Sequence, residues 1–117
     1  GDGVLVSFGA AAVTGREAAD ALDAATAVLA AADAWAAERG GAPTPGLAVA
    51  VTTGEVAYGV VGHDQRLEYT VIGEAVNLAA KLEKHAKSEG ARLIATAAAV
   101  ECARRQGWSG SPGRSVA

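Results

Sequence analysis

The chain has 117 residues, half of them hydrophobic, and its 10 Lys and Arg against 13 Asp and Glu give a formal net charge of −3. This length suits one small domain with a real core, and the charge excludes a dedicated nucleic-acid binder, which would need a basic surface. No stretch approaches the ~20 apolar residues of a membrane-spanning helix, so no membrane contact is expected from this segment.

The first predicted elements are a strand and a long helix. Val4 to Phe8 reads as a strand that leaves a Gly-Asp-Gly turn, with its hairpin partner expected before Gly1. Thr14 and Glu17 have the spacing of a capping box, so a helix should begin there. Apolar residues then recur at helical spacing as far as residue 36, which predicts that Trp35 is an anchor of the core.

The middle of the chain predicts a β-hairpin. Glycines and prolines at residues 40–45 end the helix. Leu47 to Thr52 is apolar on both faces, as in a strand covered by helices, and Thr53-Gly54 is a plausible tight turn into a second strand, Glu55 to Val61. The next stretch, Arg66 to Tyr69, is too short to assign.

The last third predicts a helix, a strand and a further helix. From Gly73 the apolar positions have helical spacing, and Leu78, Ala79 and Leu82 are expected to face the core. Arg92 to Ala95 is a strand candidate, and Thr96 can cap a final helix that runs through Ala103.

This order of elements predicts an α+β fold, a ferredoxin-like antiparallel sheet with helices packed on it. The domain is expected to span residues 1–106, followed by a Gly/Ser/Pro-rich tail over residues 107–117. Cys102, the single cysteine, is expected to be a small core residue in a reducing compartment, which favours a cytoplasmic location. The chain begins at Gly1 and contains no Met, so we expect it to be cut from a longer protein, whose own membrane tethering stays open.

Four polar residues are candidates for a site. Asn77 and Lys81 are four residues apart, so on a helix they project from one face and could reach a single ligand, or simply form a solvated surface. On its own, Asp2 between two glycines fits a turn, and Thr70 fits an ordinary strand position.

Three segments together indicate a family. In order and spacing they resemble the signature segments of class III adenylate and guanylate cyclases. The part of the catalytic domain that this family has before these segments would lie before Gly1 and is missing from this sequence. The three segments are residues 1–9 (GDGVLVSFG), 53–62 (TGEVAYGVVG) and 68–83 (EYTVIGEAVNLAAKLE).

The resemblance implies a role for each candidate. Asp2 matches one of two aspartates that bind two divalent cations, Mg²⁺ or Mn²⁺, and the other aspartate would lie before Gly1. Thr70 matches a base-selecting residue and implies adenine, although its partner, a lysine in adenylate cyclases, would also lie upstream and GTP stays open. Asn77 matches a residue that positions the ribose. Lys81 stands where the family typically has an arginine that steadies transition-state charge, and lysine lacks the planar bidentate fork of arginine.

These roles imply conversion of ATP to cyclic AMP and pyrophosphate, in a homodimer whose two copies complete each site. Two alternatives stay open. One is a cyclase-homology domain that has lost catalysis and acts as a nucleotide-binding or dimerising regulatory module, which Lys81 favours. The other is an unrelated ferredoxin-like interaction domain, which predicts no thermal stabilisation by nucleotides.

Overall fold

The computed structural model describes residues 3–9, 13–40, 47–63 and 66–110. This part of the chain contains three helices and four strands, three of which follow one another, and this confirms the predicted α+β class. In chain order the elements are α1 (Glu17–Glu38), β1 (Val49–Val51), β2 (Ala57–His63), β3 (Arg66–Ile72), α2 (Glu74–Glu89), β4 (Leu93–Ala95) and α3 (Ala97–Arg105).

The described strands form two two-stranded sheets, and a single ferredoxin-like sheet is not seen among them. In the first, β1 and β4 are parallel and pair from Val49 with Leu93 to Val51 with Ala95. In the second, β2 and β3 are antiparallel and pair from Ala57 with Ile72 to His63 with Arg66.

The predicted hairpin between Leu47–Thr52 and Glu55–Val61 is therefore wrong. Strands form in both segments, but β1 takes a partner from more than forty positions along the chain and β2 pairs with β3. The loop at Thr53-Gly54, assigned as the hairpin turn, packs against α2 instead of closing a ladder. The stretch from Arg66, too short to assign from sequence, becomes the start of β3.

The predicted strand from Val4 to Phe8 is also absent from the described structure. Its residues have no regular secondary structure and are exposed, Val4 at 92%. A strand needs a partner for its backbone hydrogen bonds. No described strand pairs with this segment, and the prediction had placed its partner before Gly1.

The core is small and built largely of alanine. Helix α1 packs against α3 and β1, while α2 packs against β1 and β4. Because most side chains in the buried cluster are small, these elements approach closely, and the cluster contains few large aliphatic side chains. Its members are Ala18, Ala19, Leu22, Ala25, Val51, Ala99 and Ala103.

Trp35 does not belong to this core, contrary to the prediction. Its side chain is 53% exposed, and the Arg39 guanidinium lies 4.6 Å from its ring centroid. The apolar stripe of α1 continues past the region that the other elements cover, so helical periodicity overestimated the buried length.

The side chain of Gln106, just beyond α3, caps the start of α1. Its Oε1 accepts hydrogen bonds from the backbone N–H groups of Ala18 (2.8 Å) and Ala19 (3.0 Å), and its Nε2 donates to Glu17 Oε2. Glu17 reaches back to the N–H of Thr14 as the capping box predicted, but Thr14 Oγ1 accepts from Arg16 rather than from Glu17. The helix therefore begins at Glu17, with a cap supplied from the far end of the chain.

The final helix begins as predicted, because Thr96 Oγ1 accepts a hydrogen bond from the N–H of Ala99 (3.1 Å). Cys102 and Trp108 are partly buried and pack against the core cluster. Within the described ranges, no helix combines the length and the apolar character needed to cross a membrane.

Candidate functional site

The loop between β1 and β2 is docked onto the first turn of α2. Thr52 Oγ1 donates a hydrogen bond to the backbone carbonyl of Ala75 (2.7 Å). Two glycines permit the close approach, since a Cβ on Gly73 would lie 2.9 Å from the Glu55 carbonyl oxygen and one on Gly54 would lie 3.1 Å from the Ala75 Cβ. The loop and the helix, two of the segments that carry the family resemblance, are thus packed together.

An open groove of about 720 Å³ lies between this loop and α2. Its wall on the loop side is short and polar, and its wall on the helix side is one face of α2. The lining residues are Thr53, Gly54, Glu55, Glu74, Ala75, Asn77, Leu78 and Lys81.

Asn77 and Lys81 are brought together, as their spacing predicted. Both are exposed and both line the groove. Leu78 was expected to face the core, but it lines the groove and is 41% exposed. A ligand in this groove would therefore meet an amide, an ammonium and an apolar side chain on the same helix face.

Lys81 is available for a ligand. In the described structure its ammonium takes part in no ion pair, whereas Lys87 on the same helix pairs with Glu83 at 3.4 Å and His85 lies 3.4 Å from Glu89. An unpaired cation at the wall of an open groove can attract an anionic ligand without first breaking an internal contact.

Thr70 and Asp2 are not shown in the groove. Thr70 lies in β3, where its register partner is Gly59, and the surroundings of its side chain are beyond what the structure describes. Asp2 lies outside the described residues. Among those described, no group of three or more His, Cys, Asp or Glu residues could hold a metal ion, so they do not form a metal site by themselves.

Sequence reasoning missed Glu55 and Glu74. Glu74 begins α2 and lies three residues before Asn77 and seven before Lys81, a spacing that places all three on one helix face. That signal was present in the sequence. Glu55 carried no such signal, because its position beside α2 depends on the docking of the loop.

A comparison with protein families matches residues 1–110 to the adenylate and guanylate cyclase catalytic domain. The chain belongs to this family. The match covers the docked loop, α2 and the groove, so the groove lies within a cyclase domain.

The cyclase domain also resembles curated mycobacterial proteins whose names assign no activity. "Uncharacterized protein Rv1319c" of Mycobacterium tuberculosis is 40% identical over 112 residues, covering 93% of this chain and 20% of that protein. "Uncharacterized protein Rv1318c" of the same species is 48% identical over 64 residues (52% and 12%). "Uncharacterized protein Mb1354c" of Mycobacterium bovis is 46% identical over 67 residues (52% and 11%).

The chain thus spans a fifth or less of the length of these relatives. No solved structure matched it.

Proposed function

We propose that this cyclase domain converts ATP into 3′,5′-cyclic AMP and pyrophosphate. The family supports a nucleotidyl cyclase in general. The observation that carries the proposal is the groove in which Asn77 and Lys81 share one helix face, with Lys81 in no ion pair to another described residue. In the proposed reaction the 3′-hydroxyl oxygen bonds to the α-phosphorus, the hydroxyl proton passes to solvent water, and the bond from that phosphorus to the pyrophosphate oxygen breaks, so that pyrophosphate leaves.

The proposed roles follow the chemistry of the side chains. The Lys81 ammonium would stabilise negative charge that grows on the α-phosphate and the leaving oxygen. The Asn77 amide would hold the ribose so that the 3′-hydroxyl lies in line with the bond that breaks. Thr70 would contact the adenine, with its hydroxyl as donor or acceptor.

The proposal includes two divalent cations, Mg²⁺ or Mn²⁺, with Asp2 as one ligand, on the strength of the family resemblance. Such cations, when bound, neutralise charge on the phosphates. Because the described residues contain no group of three or more His, Cys, Asp or Glu that could hold a metal ion, the proposal places the second aspartate ligand before Gly1, as the resemblance implies.

The proposal also includes a homodimer with two sites. Exposed apolar side chains support it, since Val60 and Ile72, which the register places on opposite faces of the β2–β3 hairpin, are 61% and 59% exposed. Apolar surface of this kind is stabilised when a second copy covers it.

Three further predictions remain parts of the same proposal. They are the ferredoxin-like sheet, the division of the chain into residues 1–106 and 107–117, and the cytoplasmic location.

One observation favours the second candidate, a regulatory module without catalysis. Lys81 stands where the resemblance expects arginine, and it is the sole cation among the described residues that line the groove, beside two carboxylates. A single ammonium on an acidic wall binds a polyphosphate more weakly than a bidentate guanidinium does.

Product analysis separates the two candidates. A longer form of the chain, which includes the sequence preceding Gly1, is given ATP or GTP with Mn²⁺, and the products are identified by mass spectrometry beside its Asp2→Ala variant. Cyclic AMP from the first protein but not from the variant supports the adenylate cyclase. Cyclic GMP instead would reverse the base assignment, and no cyclic nucleotide from either folded protein would favour the regulatory module.

A further inference from the structure

The groove has an acidic end and a basic end. Glu74 is the first residue of α2, and Lys81 lies about 10 Å further along the helix at 1.5 Å per residue. The backbone of Glu55 packs against Gly73, which places Glu55 at the same end as Glu74. The charge of the lining therefore changes sign along the axis of α2.

The two carboxylates at the acidic end have no partner among the described residues. Within the described ranges, neither Glu55 nor Glu74 makes a side-chain hydrogen bond or an ion pair, whereas Glu83 on α2 pairs with Lys87. Unpaired carboxylates keep their full acceptor capacity and repel phosphate, although solvent weakens that repulsion.

This arrangement opposes phosphate binding where a helix would otherwise favour it. The first turn of a helix carries partial positive charge and free N–H groups, and it commonly attracts phosphate. In α2 the Glu74 carboxylate lies in that first turn, so the attraction is offset at the acidic end while Lys81 remains attractive at the other.

We propose that Glu55 and Glu74 determine the direction in which a nucleotide lies in the groove. The polyphosphate lies toward Lys81, and the base and sugar, whose amino and hydroxyl groups donate hydrogen bonds, lie toward the two carboxylates. The inference rests on the proposed function and deepens it by assigning two specificity-determining residues to the same site.

Two probes separate the ends of the ligand. Tripolyphosphate carries the charge without the nucleoside, and adenosine carries the nucleoside without the charge. Binding of each to the chain is measured by titration calorimetry at low salt and at about 0.5 M salt, where a Debye length of about 4 Å screens the carboxylates. The variants are Glu55→Gln, Glu74→Gln and the double variant, and Glu101→Gln on the exposed face of α3 is a control with the same change in charge.

We expect the double variant to bind tripolyphosphate about 3- to 10-fold more tightly at low salt, because phosphate is then tolerated at both ends. Adenosine should bind about 2- to 5-fold more weakly, because its donors lose charged acceptors. The first effect should shrink in high salt, and Glu101→Gln should change neither affinity. Glu55→Gln leaves α2 untouched, so it reports the effect even if Glu74→Gln frays the helix.

An unchanged ratio of the two affinities would overturn the inference, as would an equal effect of Glu101→Gln or a complete lack of tripolyphosphate binding. Production of cyclic nucleotide with an unchanged ratio would remove the inference and leave the proposed function standing. The expected change in the ratio of affinities without any cyclic nucleotide would support the inference about Glu55 and Glu74 and contradict the proposed catalysis.

Discussion

Gly73 and Glu55 are in such close contact that a Cβ on Gly73 would lie 2.9 Å from the Glu55 carbonyl oxygen. This contact joins the start of α2 to the loop that forms the other wall of the groove. The shape of the groove therefore depends on a glycine that lines none of it.

Replacing Gly73 by alanine should lower the free energy of unfolding by about 1–3 kcal/mol, because the new methyl group must displace backbone. Gly59→Ala is the matched control, since a Cβ there meets no atom within 4 Å and should change stability little. Denaturant unfolding of both variants measures the difference. Equal stability of the two would show that the loop is not held in place by this contact.

Two substitutions of Lys81 separate the effect of its charge on kcat from the effect of its hydrogen-bonding geometry. On the proposed function, Lys81→Ala should lower kcat on the order of 10²-fold, through loss of charge stabilisation in the transition state. Lys81→Arg should raise kcat, since the guanidinium can donate two parallel hydrogen bonds to a phosphate. Lys84→Ala, on the same helix but not among the residues that line the groove, is the control. Similar losses in Lys84→Ala and Lys81→Ala would contradict the assigned role.

Gln106→Ala should destabilise the fold by about 1–2 kcal/mol, because two N–H groups in the first turn of α1 lose their acceptor. The same change should speed hydrogen exchange at the amides of Ala18 and Ala19. Glu101→Ala, on the exposed face of α3, controls for changes in that helix. Unaltered exchange at Ala18 and Ala19 would show that the cap does not persist in solution.

Stability should fall in acid partly through Glu17. Hydrogen bonds from the backbone N–H groups of Gly15, of Glu17 itself and of Thr14 hold its pKa below the ordinary value of 4.5. A lowered folded-state pKa stabilises the fold above the unfolded value, and this stabilisation disappears as the pH falls through the folded value. The difference in unfolding free energy between the native chain and Glu17→Gln should therefore be constant above pH 4.5 and shrink below it. A constant difference down to pH 3 would contradict this.

Local chemistry explains what could be predicted about the fold. Helix periodicity and caps act over a few residues, so α2 and α3 form where expected and Thr96 begins the last helix. The three signature segments identified the family, and the spacing of Asn77 and Lys81 put both on one wall of the groove.

Contacts between distant residues decided the rest. A turn signal at Thr53-Gly54 cannot reveal that β1 pairs with β4, because that pairing depends on where α2 places the later strand. The burial of Trp35 depended on how far the other elements extend along α1, which periodicity does not measure. Gln106 caps a helix that begins almost ninety residues earlier, and Glu55 joins the groove only because Gly73 lets the loop approach. The sequence by itself determined the family, most of the helices and half of the groove wall, whereas strand pairing and the polarity of the groove arise only when distant segments pack.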